Sequence, residues 1–382
     1  MRIGIDARFY GSVGKGLGRY VQKLIENLEK IDKENQYFIF LLEENFNEFR
    51  PKNKNFKKVV ANYRWYTLSE QINIPKLLKR YNLDLVHFPH FNVPFFYRKK
   101  FVITIHDLIL LNFPTIKGTK LNPLFYWFKF LGYKFIIGSA IRRAEKIITV
   151  SNFSKKDILK NYPKISSKKV MVAYEACDRV SGETLRDSEE ILNKYGIIKP
   201  YLLYVGNAYP HKNLEKLADA WKLILAKNQK DNLLERDPIL VLVGKRDYFY
   251  DKLADYILKL KVKNINLVGF VSDDDLGVIY KNSSAYVFPS LYEGFGLPPL
   301  EAMSWKTPVI SSNHGCMREI LRDGAYYFDG TNADSIAQAI LTVLKNDDLK
   351  KDLVKAGEKI ILKYSWQRMA KKTLGVYQKC QF

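Results

Sequence analysis

Two carboxylates and a lysine, each just downstream of a strand-like apolar run, carry the chemistry this sequence offers. The densest signal is Glu293-Gly-Phe-Gly-Leu-Pro-Pro-Leu-Glu301, which follows a run ending Phe288-Pro289-Ser290. Pro298 and Pro299 suit the first turn of a helix, where backbone N–H groups have no intrahelical partner. The N–H groups of Phe295, Gly296 and Leu297 then lie at the front of that helix. With its dipole they make a site for an anion or for sugar hydroxyls. Glu301 falls about one turn into the helix and Glu293 at its mouth, so both acids can face one pocket at the carboxyl end of a sheet. Carboxylates accept hydrogen bonds from paired hydroxyls, which ribose and a pyranose both present. A capped helix with two solvated glutamates is the bland alternative, and the combination of loop, prolines and second acid weighs against it.

A second turn of the same kind is Val205-Gly206-Asn207-Ala208-Tyr209-Pro210-His211-Lys212-Asn213. Gly206 permits close backbone approach, and Lys212 would set a point charge on a phosphate at the start of a helix. Near the amino terminus, Gly14-Lys15-Gly16-Leu17-Gly18-Arg19-Tyr20 opens another helix, with amides around Gly16 and the charge of Arg19 available to an oxyanion. The spacing there is GxGxG, several residues late after its strand, which argues against a dinucleotide fingerprint. His106-Asp107 closes the run Phe101–Ile105, and His87 and His90 flank Phe88-Pro89; a histidine at a strand end is more often a packing residue than a catalyst. Asp273-Asp274-Asp275 reads as the first turn of a helix capped by Ser272, not as a metal site.

These residues need elements to hold them. Short β-rich runs alternate with helical patterns throughout, the pattern of parallel α/β sheets. Strands are expected at Ile3–Ala7, Tyr37–Leu42, Val59–Tyr63, Leu85–Phe88, Phe101–Ile105, Lys146–Val150 and Lys169–Ala173. A second series is expected at Tyr201–Val205, Ile239–Val243, Asn266–Val268, Ala285–Phe288, Val309–Ser311 and Tyr326–Phe328. The polar stretch Asp178–Lys199 separates the two series, placing a boundary near Lys199–Pro200. The expected division is therefore a first domain at 1–198 and a second at 199–365. A final helix begins at Trp366, behind a Ser365 cap.

A chain of 382 residues suits two such domains, and 47% apolar with 27% charged residues is a globular balance. Cys177, Cys316 and Cys380 show no paired spacing, which fits a reducing, cytoplasmic compartment. No signal peptide is expected from the opening MRIGIDARF, nor a membrane span. The net charge of +22 implies an anionic partner, and residues 1–196 hold 35 Lys and Arg against 19 Asp and Glu. Within that basic half, Leu121–Ala144 interleaves aromatics such as Trp127 with Lys129, Lys134, Arg142 and Arg143. Such a stretch is either an interfacial helix with snorkelling lysines or a helix buried against the sheet. The basic charge favours peripheral contact with anionic lipid.

Taken together, these segments closely resemble glycosyltransferase family 4, the retaining enzymes of the GT-B fold. The resemblance runs from GIDARF and GLGRY through TIHDLILLNFP, TVSNFSKKD, VGNAYPHKN and FPSLYEGFGLPPLEAM to SWQRMAKKTLGVY, nearly the whole chain. Within the family the chain looks most like bacterial mannosyltransferases that extend surface polysaccharides. The resemblance implies an α/β fold of two Rossmann-like domains whose parallel sheets face an interdomain cleft, with 366–382 crossing back to the acceptor-binding first domain. It implies that Glu293 contacts the donor sugar, Glu301 holds the ribose, and Lys212 neutralises the leaving diphosphate with help from amides near Gly16. Phe295, Gly296 and Leu297 would grip sugar hydroxyls, and His106 would stand beside the anomeric carbon. Arg19, His90, Trp127, Lys129 and Lys134 are expected on the acceptor or membrane side. The substrates implied are a nucleotide diphosphate sugar, GDP-mannose ahead of UDP-glucose, and a glycan or lipid-linked acceptor, with no cofactor, metal or nucleic-acid partner. The chain departs from many relatives in lacking an arginine shortly before Lys212; Lys245, Arg246 and Arg19 are the candidate substitutes. A sugar-nucleotide epimerase of the same fold is the nearer rival, and a non-enzymatic nucleic-acid binder the more distant one.

Overall fold

Runs such as Ile3-Gly4-Ile5 and Phe101–Ile105 are apolar at nearly every position, which is stable only where a sheet is covered on both faces. In the computed structural model, which describes residues 1–114, 122–178 and 187–381, such runs become the buried strands of two parallel sheets.

The first sheet comprises β1 (Arg2–Asp6), β2 (Gln36–Leu41), β3 (Phe56–Val60), β4 (Leu85–Phe88), β5 (Phe101–Ile105), β6 (Lys146–Thr149) and β7 (Val170–Val172). Their spatial order is β3-β2-β1-β4-β5-β6-β7, and β1 is flanked on both sides in register, Ile3 facing Tyr37 of β2 and Leu85 of β4. The second comprises β8 (Tyr201–Val205), β9 (Ile239–Val243), β10 (Ile265–Gly269), β11 (Ala285–Phe288), β12 (Val309–Ser312) and β13 (Ala325–Phe328), ordered β10-β9-β8-β11-β12-β13. In each sheet the strand order reverses once, between β1 and β4 and between β8 and β11. Connecting helices diverge at such a point, so a crevice opens at the carboxyl ends of its two strands.

The described residues divide into two units, one of 1–114, 122–175 and 365–381, the other of 176–178 and 187–364. The division falls upstream of the Lys199–Pro200 junction read from composition. The short helix Ser188–Lys194 belongs with the second unit, because Lys194 Nζ and the neighbouring Tyr195 hydroxyl both donate to Asp275 at 2.8 Å. Asp275 thus secures a helix, and Ser272 caps its own helix by accepting from the Asp275 N–H. Residues 179–186 of the polar connector lie outside the described residues, as do Leu121 of the aromatic stretch and Phe382 of the terminal segment.

The strand expected at Val59–Tyr63 is instead Phe56–Val60. It is an edge strand that mixes buried Phe56 and Val59 with the exposed Lys57 and Val60, so its apolar end alone is a poor guide to its span. The helix Trp366–Gln378, capped by Ser365, packs on the helix Lys15–Ile31 of the first unit. Its Tyr377 hydroxyl reaches His87 Nδ1 at 2.6 Å while His87 Nε2 meets Thr104 Oγ1 at 2.8 Å. Fully buried and held near a pKa of about 3 by burial and by His106, His87 is a neutral link between terminal helix and sheet.

Candidate functional site

In the second unit the chain leaves β8 through Gly206, at φ +154°, over the ring of Tyr204. A Cβ there would stand 2.7 Å from the Tyr204 hydroxyl oxygen, so only glycine fits without displacement. The Tyr204 hydroxyl donates to the Asn207 carbonyl at 2.7 Å and the Tyr250 hydroxyl to the Gly206 carbonyl at 2.8 Å, which fixes the loop from below. A 3₁₀ turn, Pro210–Lys212, follows and ends at Asn213 in the left-handed conformation. The Asn213 amide donates to the carbonyls of Pro289 at 3.2 Å and Gly330 at 2.7 Å, and the Leu291 N–H donates to the His211 carbonyl at 2.8 Å. The loops after β8 and β11 are therefore stitched together.

That stitching sets Lys212 Nζ 2.5 Å from Glu293 Oε1, although 81 residues separate them in sequence. The same carboxylate oxygen accepts from the Ser290 hydroxyl at 2.6 Å. Both side chains are mostly covered, Lys212 at 14% and Glu293 at 10% exposure. Burial pushes the Glu293 carboxyl up, but Lys212, His211 and the Ser290 hydroxyl outweigh it and hold it below the usual carboxylate range. Burial and the adjacent Lys212 lower the His211 imidazole to about 4, leaving Lys212 as the cation of this loop near neutral pH.

The helix Leu297–Ser304 starts at Gly296, which has φ +90° and no side-chain cap, and carries its prolines in the first turn. The Phe295 ring is buried edge-on to Tyr364 at 5.4 Å, so this residue offers a ligand only its backbone. Glu301 is half-buried and accepts from the Tyr280 hydroxyl at 3.4 Å. Of the three substitute cations, Arg246 is held by Asp251 at 2.9 Å, Lys245 is exposed just past β9, and Arg19 is half-buried in the first unit.

In the first unit, His106 follows β5 with both ring nitrogens engaged. Nδ1 lies 3.0 Å from Glu175 Oε1, and Nε2 lies 3.0 Å from the Pro89 carbonyl. Burial lowers the pKa of this imidazole, yet Glu175 and the Pro89 carbonyl more than reverse that and raise it. His90 packs on Phe91 at 4.1 Å and Phe9 at 5.3 Å, with Nδ1 buried and unpartnered; burial first, then His106, lowers its pKa to about 3. Gly18 abuts the Gly11 carbonyl and serves packing, whereas Gly16 is exposed with open space around it.

Glu175, Ser290 and the buried Arg8 escape a reading of the sequence. Arg8 is fully covered and pairs with Asp6 at 2.7 Å and Glu70 at 2.6 Å, pinning the loop after β1. Glu175 had a usable signal, since it is the first acid beyond β7 at the carboxyl edge of the sheet, where ligands and their partners gather.

The helix Pro123–Arg143 is buried against the first sheet only in part. Its second half sends Ile137, Ala140 and Ile141 into the core, while Phe125, Trp127, Phe128, Leu131 and Phe135 stand exposed beside exposed Lys129 and Lys134. Among the described residues no helix is long and apolar enough to cross a membrane, and no cluster of His, Cys, Asp and Glu is arranged to hold a metal ion.

Residues 14–179 match the family model described as Glycosyltransferase Family 4, and residues 187–360 that described as Glycosyl transferases group 1. The chain is 30% identical to O-antigen chain mannosyltransferase B of Escherichia coli over 307 residues, 79% of this chain and 76% of that protein. It is 27% identical to O-antigen chain mannosyltransferase RfbU of Salmonella typhimurium over 309 residues, 80% of this chain and 76% of that one. Among solved structures, sucrose-phosphate synthase from Thermosynechococcus elongatus superposes with a TM-score of 0.74 at 17% identity, covering 99% of this chain and 98% of its own.

Proposed function

The chain belongs to the family 4 glycosyltransferases, and from that premise we propose that it transfers mannose, with retention, from GDP-mannose to a growing surface glycan. The observation that carries this reading is the covered Lys212–Glu293 pair beside the switch between β8 and β11. As a pair the two side chains neutralise each other. A nucleotide diphosphate draws Lys212 to its phosphates, which frees Glu293 to accept a hydroxyl of the sugar.

Cleavage of the sugar–phosphate bond builds positive charge at the anomeric carbon and negative charge on the diphosphate. Lys212 and the front of the helix Leu297–Ser304 bind the leaving group more tightly as its charge grows, which lowers the barrier. Lys245 is the favoured second cation, because Arg246 is committed to Asp251. With these charges in place the reaction needs no metal. Glu301 holds the ribose hydroxyls. A double-displacement route would call for two carboxylates about 5 Å apart flanking the bond. Front-face attack, with the acceptor proton passing to the departing phosphate, needs no such second acid. The exposed rings and lysines of the helix Pro123–Arg143 rest against anionic lipid at the inner face of the membrane, where a lipid-linked acceptor is met.

Thermal-shift measurements with GDP-mannose, UDP-glucose, UDP-galactose and UDP-GlcNAc, each with and without EDTA, test the reading. The expected result is a rise in Tm with GDP-mannose that EDTA leaves unchanged. A response to a uridine donor alone, or one abolished by EDTA, refutes the donor or the metal-independent mechanism respectively.

A further inference from the structure

We infer that Glu175 is a positioning residue that keeps a proton on both ring nitrogens of His106, so that this histidine is a fixed cation that cannot act as a base. The inference rests on the proposed sugar transfer, and every contact it draws on lies within the first unit. A backbone carbonyl can only accept, so the 3.0 Å contact to Pro89 requires a proton on Nε2. The 3.0 Å contact of Nδ1 to a carboxylate oxygen requires a second proton there. The ring has no further freedom. Tyr20 meets it edge-on at a centroid distance of 4.6 Å, and the Ser154 hydroxyl donates to the His106 carbonyl at 2.9 Å.

The charges around the ring agree with this state. Glu175, from the segment after β7, is 8% exposed and close enough to stabilise the imidazolium, and Asp107 adds a second negative charge next in sequence. Tyr20, on the helix Lys15–Ile31, is neutral because burial raises its phenol. His87 on β4 and His90 just beyond it are neutral because burial lowers both, and the helix Asn152–Asn161 contributes the uncharged Ser154. The consequence for the reaction is direct. An imidazolium with both nitrogens protonated has no lone pair for the acceptor's proton. As the acceptor oxygen bonds to the anomeric carbon and the carbon–phosphate oxygen bond breaks, that proton goes to the leaving diphosphate.

Nitrogen-resolved imidazole spectra of the wild type and of Glu175→Gln, with His106 assigned by its loss in His106→Gln, read the ring directly. Near neutral pH the wild-type ring is expected doubly protonated and the Glu175→Gln ring neutral. In parallel, transfer kcat in Glu175→Gln should fall about 10- to 100-fold, the size of losing a hydrogen bond to a charged group, with the donor KM unchanged. The alkaline limb of the pH profile should move to lower pH, because the active form is the protonated ring and the variant loses its proton earlier. Glu175→Asp, which keeps the charge on a shorter arm, should recover part of the rate. A neutral ring in the wild type overturns the inference, as does a Glu175→Gln variant whose ring stays protonated or whose kcat and pH profile are unaltered. A wild type that turns over no nucleotide sugar would refute the proposed function instead, and the spectra would still decide the role of Glu175.

Discussion

Replacing Lys212 by alanine separates the electrostatic role of this side chain from its structural one. On the proposed mechanism the substitution removes the cation that meets the leaving diphosphate, and loss of one such preorganised donor lowers kcat about 10²- to 10³-fold. It also strands Glu293, since Lys212 is the strongest influence opposing the upward push of burial on that carboxyl. Breaking a buried pair by removing one partner costs about 3–5 kcal/mol. With Ser290 still donating to Glu293 at 2.6 Å, the lower end of that range, about 3 kcal/mol, is expected. The pH dependence fixes the sign. In the wild type the Glu293 pKa is depressed, so its contribution is present above the unfolded carboxylate pKa of about 4.3 and is lost as pH falls through the lower folded value. In the variant, burial dominates and the carboxyl is raised. The stability deficit should therefore be largest near neutral pH and shrink on acidification, as Glu293 takes up a proton. Adding Glu293→Gln to Lys212→Ala should restore much of the melting temperature without restoring transfer. Thermal melts across pH, together with radiolabelled-sugar transfer assays, report both quantities. Near-wild-type transfer by Lys212→Ala, or a deficit that grows on acidification, would refute the reasoning.

Three further outcomes are expected. Gly206→Ala forces a Cβ to 2.7 Å from the Tyr204 hydroxyl and should cost about 1–3 kcal/mol while weakening GDP binding, read by calorimetry; unchanged affinity and melting would show that the loop adapts. Arg8→Met leaves Asp6 and Glu70 buried without their cation and should destabilise the first unit by about 3–5 kcal/mol in urea titrations, and a variant as stable as the wild type would make the triad dispensable. Anionic liposomes should float the wild type at low salt, and Trp127→Ser with Phe128→Ser should lose that binding. A wild type that fails to float removes the membrane contact from the proposal.

Much of this molecule is written locally. Twelve of the thirteen described strands lie essentially where short apolar runs place them, because a strand covered on both faces leaves a signal confined to a few residues. The strand Phe56–Val60 escapes, since Lys57 and Lys58 interrupt its apolar positions. The turn chemistry is local as well. Gly206, the proline pair after Gly296 and the serine caps at Ser272 and Ser365 each state their geometry within a few residues. The sequence thereby determined which residues stand at the carboxyl ends of the strands. Which of them touch was decided by the tertiary structure alone. Lys212 with Glu293, His106 with Glu175 and His87 with Tyr377 are 81, 69 and 290 residues apart, and no local pattern encodes a partner at that distance. The protonation of His106 leans on the same remote contact, because Glu175 raises its pKa more than its chain neighbour Asp107 does.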